Sequence, residues 1–308
     1  MSRLHQAVDD YLTIRRAMGF KLALAGRLLP QFVDHLSEVG ATSVTVEHAL
    51  AWARMPADST IGWWAQRLSV VRGFATWLAV SDPATEVPPR DLLPGRARRA
   101  TPYLYSREDI TALLAAAGCL RPKLRAATYQ TLISLLVVTG MRIGEAIALD
   151  RDDLDIRCGL LLVRSGKFDK DRLLPLHATT VEALHDHLRL RDQLYPGPDT
   201  PAMLINTRGR RLGYGTVQDT FRQLTQQAGL TPRPSGCRPR LHDLRHSFVV
   251  AGLLDAYRAG DDVQLTLPVL STYLGHVDPV HTYWYLSAAP ELLALAGQRL
   301  DEHLGGRP

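Results

Sequence analysis

The chain has little lysine, few cysteines and no long apolar run. Among its 308 residues only Lys21, Lys123, Lys167 and Lys170 are lysines, against 32 arginines. The three cysteines, Cys119, Cys158 and Cys237, are far apart and odd in number. They match neither a disulfide framework nor a zinc pattern, and they suit a reducing compartment. No apolar stretch approaches the roughly 20 residues of a membrane span. Residues 1–10 carry charge and no apolar signal region, which speaks against secretion by that route. Internal repeats and low-complexity segments are missing too. At 46% hydrophobic and 22% charged residues, the composition excludes disordered, collagen-like and coiled-coil chains.

What is present points to two domains, at about 150 residues each. The net charge is +5. Residues 1–103 carry 12 basic and 9 acidic side chains, and the remainder carries 24 and 22. That mild balance is compatible with a polyanionic partner but does not require one.

Residues 1 to about 80 show helical spacing and no convincing period-2 strand. Leu4, Val8, Tyr11 and Leu12 lead to Gly19; Leu28, Leu29, Phe32, Val33 and Leu36 lead to Gly40. Helices over 46–54 and 61–80 complete a small bundle. Pro83, Pro88, Pro89, Pro94 and Pro102 then break the chain among Arg90, Arg96, Arg98 and Arg99. Proline at this density predicts a linker over 89–103, between a domain at 1–88 and another at 104–308. Its arginines are either solvated or in contact with a polyanion.

The second region begins with Ser106-Arg-Glu-Asp109, a capping-box start to a helix through Ala117. Helices are expected over 125–138, 180–190, 216–228, 242–257, 268–274 and 287–304. Strand-like runs at 160–164 and 172–176 flank a hairpin turn with Lys167 and Lys170, and 203–206 reads as a further short strand. The fold class is therefore two-domain and mainly α: a helical bundle followed by a mixed, mostly helical domain with a small sheet.

Four segments of the second region hold groups suited to phosphate chemistry. In Thr139-Gly-Met-Arg-Ile-Gly-Glu145, Arg142 opens a helix and Glu145 follows on the same face; alone, this is an ordinary surface pair. Lys167 and Lys170 at a turn are either solvated or deliver a cation, and an ammonium can give up a proton where a guanidinium cannot. In Leu241-His-Asp-Leu-Arg-His-Ser-Phe248, His242 and Arg245 share a face. His242 and His246 would also suit a metal pair, but Asp243 stands where the zinc-protease pattern needs Glu. In Tyr273-Leu-Gly-His-Val-Asp-Pro-Val-His-Thr-Tyr-Trp-Tyr285, Tyr285 follows His276 by nine residues; the plain reading is a half-buried aromatic.

Together and in this order, these motifs resemble the tyrosine recombinase (phage integrase, Xer-like) family, over most of the chain. The resemblance implies a SAM-like core-binding domain at 1–88 and a catalytic domain at 104–308. It implies that Arg142 and Arg245 are the catalytic arginines, Lys167 the catalytic lysine, His242 and His276 the active-site histidines, and Tyr285 the nucleophile. Glu145 matches the acidic residue that holds this part of the site. Tyr283 stands two residues from Tyr285, and only the spacing from His276 favours Tyr285.

The expected activity is site-specific cleavage and rejoining of DNA through a 3′-phosphotyrosyl link, as in integration or exchange by a mobile element. Neither metal, ATP nor another cofactor is expected. The expected partner is double-stranded DNA with a recombination site, gripped from opposite faces by the two domains, with Arg90, Arg96, Arg98, Arg99 and Lys170 as contacts. The leucine-rich 287–304 helix is expected to link a homotetramer on DNA. A cytoplasmic location without membrane attachment follows. A type IB topoisomerase, a non-catalytic DNA-binding protein and a metallohydrolase are the competing readings. The polar segment 258–267, with Asp261 and Asp262, departs from what the pattern suggests.

Overall fold

The computed structural model describes residues 2–93, 101–164, 171–233 and 236–275, with residues 292, 294, 295 and 297. The chain forms two compact units, Met1–Ala100 and Thr101–Pro308. Both are mainly helical, and the second holds a small sheet, in agreement with the fold class read from the sequence. Among the described residues no helix is long and apolar enough to cross a membrane.

The first unit packs α1 (Arg3–Ala17), α2 (Ala23–Glu38), α3 (Val46–Arg54) and α4 (Ile61–Leu78). Ser2, Thr45 and Thr60 cap α1, α3 and α4 by accepting from the amides of His5, His48 and Trp63. Each such cap contributes about 1 kcal/mol. The apolar stripes meet in a core of Leu29, Phe32, Val33, Leu36, Leu68, Val71 and Phe74, all fully buried. Arg67 is buried there too. Its guanidinium lies 3.6 Å from the centre of the Trp52 ring and donates to the Trp52 carbonyl at 2.9 Å.

Beyond α4 the chain stays on this bundle. Arg72 donates to the carbonyls of Pro88 and Pro89, both at 2.7 Å, and Glu86 accepts from the Val46 amide. Leu93 is buried in the bundle core, whereas Tyr103 belongs to the core of the second unit. The segment read as a linker, 89–103, is thus anchored at both ends.

In the second unit, α6 (Lys123–Thr139) runs through the core against α5 (Arg107–Gly118), α8 (Ala178–Leu194) and α10 (Asp243–Ala259). Its buried side chains, among them Leu124, Tyr129, Leu132, Ile133, Leu135 and Leu136, lie on more than one face, because several neighbours pack against it, while Lys123 and Val138 remain exposed. The short α7 (Ile143–Ala148) follows. The strands β1 (Leu154–Asp155), β2 (Leu160–Val163) and β3 (Arg172–Pro175) form an antiparallel sheet in that order. Leu160 pairs with Pro175 and Val163 with Arg172, so Arg172 enters the ladder at the end nearest the turn. The helices α9 (Tyr214–Gln227) and α11 (Val263–Leu274) complete the unit.

Two expectations need correction. Residues 203–206 form no strand; only isolated bridges, Asp150 to Ala202 and Ile205 to Arg211, occur here. Met203, Leu204 and Ile205 are fully buried, so burial rather than sheet pairing explains their apolar run. The helix expected over 268–274 begins at Val263, with Pro268 inside it. This accounts for the polar segment before it: Gly260, at φ +82°, ends α10, and Asp262 caps α11 by accepting from the Gln264 amide.

Candidate active site

The site is built on the ends of short helices. Gly140 ends α6 with φ +58°, a backbone conformation that favours glycine. A side chain here would also meet Phe248, since an added Cβ would lie 2.4 Å from its ring. The ring of Phe248 stacks in turn on Tyr273, at 5.8 Å between centres. Two residues of the recognised motifs, Gly140 and Phe248, thus bring α6, α10 and α11 together.

Arg142 lies just before α7, and Glu145 lies in its first turn. Arg142 Nη1 donates to Glu145 Oε1 at 2.7 Å, and the Arg142 amide to Oε2 at 2.9 Å. The same carboxylate accepts from Arg172, Nη2 to Oε2 at 2.7 Å and Nη1 to Oε1 at 3.2 Å. Four donors therefore occupy the two oxygens of a buried group. Burial works to raise the Glu145 pKa. The bonds from Arg172 and Arg142 outweigh it and hold the carboxyl at about 2.

The carboxyl end of α11 gathers three guanidinium groups. Arg172 Nε donates to the Tyr273 carbonyl at 3.1 Å, Arg245 Nη2 to that of Leu274 at 2.9 Å, and Arg142 Nη2 to that of Gly275 at 3.2 Å. Carbonyls at a helix end lack partners within the helix and carry the negative end of its dipole, which suits cations. Arg245 is also tied to the Gly140 carbonyl at 2.7 Å and is almost fully buried. Among the described residues at this helix end, three guanidinium groups share the one Glu145 carboxylate.

His242 stands at the start of α10 and keeps an exposed face. Crowding by protein, then the charges of Arg245, Arg142 and Arg240, lower its pKa against the opposing pull of Asp243. Its ring meets that of His246 edge to face at 4.8 Å. Asp243 is fully buried and accepts from Arg240 at 2.9 and 3.0 Å, while His246 Nε2 lies 3.8 Å away. Among the described residues no group of three or more His, Cys, Asp or Glu side chains could hold a metal ion.

The Arg142–Glu145 pair and Arg245, far apart in the sequence, therefore meet at the end of α11, and His242 feels the charge of both arginines. Arg90 is exposed on the first unit. Lys167, Lys170, His276, Tyr285, Arg96, Arg98 and Arg99 lie outside the described residues. Arg172 was not singled out from the sequence. The signal was its place as the last basic residue of Gly-Lys-x-x-Lys-x-Arg, on a strand next to the turn. Arg211 was not singled out either. It donates to the carbonyls of Ile147 and Leu149 and so braces the far end of α7.

A mainly helical domain with arginines converging on one helix end, beside a histidine, defines the class. The chain belongs to the phage integrase family, whose model matches residues 105–291; it is a site-specific recombinase of the tyrosine class. It is 44% identical over 307 residues to the integrase/recombinase y4rB of Sinorhizobium fredii, covering 98% of each chain. It is 31% identical over 297 residues to the tyrosine recombinase XerD of Mycobacterium tuberculosis, covering 91% of each. Its fold resembles the solved structure of the Tn1549 transposon integrase with transposon right-end DNA. That match has a TM-score of 0.68 and 15% identity, over 99% of this chain and 100% of the other.

Proposed function

We propose that this chain cuts and rejoins duplex DNA at a specific site through a covalent 3′-phosphotyrosyl link on Tyr285. The observation that carries the reading is the convergence of Arg142 and Arg245 on adjoining carbonyls beside His242. Guanidinium forks suit the non-bridging oxygens of a phosphodiester, and groups held in place need no reorganisation as charge develops. Each donor of this kind is worth about 3 kcal/mol of barrier.

In this reading Tyr285 attacks phosphorus, and the P–O5′ bond breaks. His242 takes the tyrosine proton, a task that its lowered pKa supports, since a neutral imidazole can accept it. Lys167 gives a proton to the departing 5′ oxygen, and His276 donates a hydrogen bond to the phosphate. The 5′ hydroxyl of a partner strand then reverses the step. The ester keeps the bond energy, so no ATP is consumed, and the arginines supply the charge that a metal would otherwise provide.

Arg90, Arg96, Arg98, Arg99 and Lys170 contact the DNA backbone, and affinity falls as salt rises because neutralised phosphates release counterions. The leucine-rich 287–304 segment, most of which lies outside the described residues, docks into a neighbouring copy and joins four chains around the DNA, as a head-to-tail contact can close a ring. The enzyme works in the cytoplasm.

The test begins from a random-sequence library of nicked duplexes, in chelator and without nucleotide. Duplexes that become covalently attached are recovered on denaturing gels. Tyr285→Phe should abolish attachment and Tyr283→Phe should leave it. The reverse pattern reassigns the nucleophile. No attachment by the unaltered chain, or attachment that needs a metal, overturns the reading. Removing residues from 291 onward should leave a folded monomer that no longer assembles on the recovered duplex; normal assembly would refute the tetramer contact.

A further inference from the structure

Arg172 is one of three guanidinium groups on the α11 carbonyls, yet it lies on β3, far in sequence from the two arginines of the motifs. Its side chain is only 13% exposed. It joins three segments at once. Two bonds run to Glu145 of α7, one runs to the Tyr273 carbonyl of α11, and its ladder partner Val163 closes the β2–β3 hairpin. Gly275 leaves room for it: an added Cβ would lie 3.1 Å from Arg172 Nη1.

We propose that Arg172 is a positioning residue for DNA strand cleavage, acting through Glu145 to aim Arg142 and binding the base of the β2–β3 hairpin to the end of α11. The proposal rests on the function proposed above. Arg142 is held by Glu145 on one side and by the Gly275 carbonyl on the other. Arg172 grips both supports, since it bonds Glu145 and the carbonyl two residues before Gly275. Without it Glu145 loses two of its four donors, and Arg142 is free to turn toward the vacated oxygen. The β2–β3 hairpin loses its tie to the same helix end. A planar fork can hold a carboxylate with two bonds and a carbonyl with a third. An ammonium is a single point on a flexible stem and cannot span both.

The experiment uses the full chain and a duplex recovered from the nicked library. The rate of covalent attachment is read at saturating DNA, alongside DNA affinity over a range of salt. Misalignment of a reacting group by about 1 Å costs on the order of 100-fold. Arg172→Met should slow attachment by about that factor, and Arg172→Lys should recover only part of it. Affinity and its salt slope should match the unaltered chain, because no phosphate contact is lost. In a Glu145→Gln background, Arg172→Met should add little further loss, since the two act through one contact.

Attachment at the unaltered rate overturns the proposal. So does a loss that multiplies independently with Glu145→Gln, or an affinity that falls in step with the rate; the last would make Arg172 a DNA contact. If Arg172→Met does not fold, Arg172→Lys with and without Glu145→Gln carries the same comparison. Absence of attachment by the unaltered chain is a different result, which removes the proposed function itself.

Discussion

Both units bury arginine, but to different ends. In the bundle, Arg67 lies over the Trp52 ring and donates to one carbonyl. Its contacts are local to α3 and α4, and they tie one helix to another. In the second unit, Arg142 just before α7, Arg172 of β3 and Arg245 of α10 meet at the end of α11. A guanidinium can be buried wherever carbonyls or a ring face meet its donors. When one is buried, the result is packing. When three share a helix end with one carboxylate, the guanidinium groups outnumber the carboxylate among the described residues, an arrangement that suits an anion.

The contrast can be broken most sharply at Arg245. Arg245→Lys keeps the charge but cannot hold the carbonyls of Gly140 and Leu274 together. Covalent attachment to DNA should fall by about 10²–10³-fold, as for loss of a preorganised donor. A variant that attaches DNA at the normal rate would show that charge alone suffices.

Glu145 comes next. Its carboxyl is held at about 2, against about 4.3 in an unfolded chain. The native state therefore binds this proton less readily than the unfolded state. The stabilisation is fully present above about pH 4.3 and is lost as pH falls toward 2, with a magnitude of roughly 3 kcal/mol. Glu145→Gln should lower stability at neutral pH by about that amount. Denaturant melts between pH 5 and 2 should then show a shallower acid slope than the unaltered chain, and an unchanged slope would count against the buried pairing.

A smaller effect is expected at Gly140. Gly140→Ala imposes the left-handed conformation on a side chain, at about 1–2 kcal/mol, and adds the contact with Phe248. The combination with Phe248→Leu should recover the contact part and leave the backbone part. Full recovery in thermal melts would show that only crowding matters.

The smallest effect should come from the bundle. Arg67→Met replaces a buried cation with an apolar side chain, a change that is often close to neutral, within about 1 kcal/mol. Attachment at saturating DNA should keep its rate. A large drop in rate would give Arg67 a role beyond packing and erase the contrast between the units.

Much of this is legible in the sequence. The helical periods of α1 to α6, the Ser106 cap and the hairpin strands at 160–164 and 172–176 are local patterns, set by burial of one face and by chain stops. The start of α11 was misread because Pro268 resembles a helix opening. Asp262 was the better signal, as a cap followed by apolar residues. The run 203–206 misled because short apolar segments look alike whether they pair in a sheet or are merely buried. In the site, Arg142, Glu145, His242 and Arg245 could be named from motif order. Arg172 closes the Gly-Lys-x-x-Lys-x-Arg run, but that local signal does not reveal its partners, a carboxylate 27 residues earlier and a carbonyl 101 residues later.

The sequence by itself determined the residue types, their order, the family and the division into a helical bundle and a mixed domain. Those depend on side-chain chemistry and short-range periodicity, which one strand of letters contains. Tertiary structure alone decided that three arginines share one helix end and that Glu145 takes four donors. It also decided that Gly140 and Gly275 clear space for Phe248 and Arg172. These are matters of where backbone carbonyls stand. A helix end read at 274 tells which carbonyls are open, but only the fold tells which distant side chains reach them.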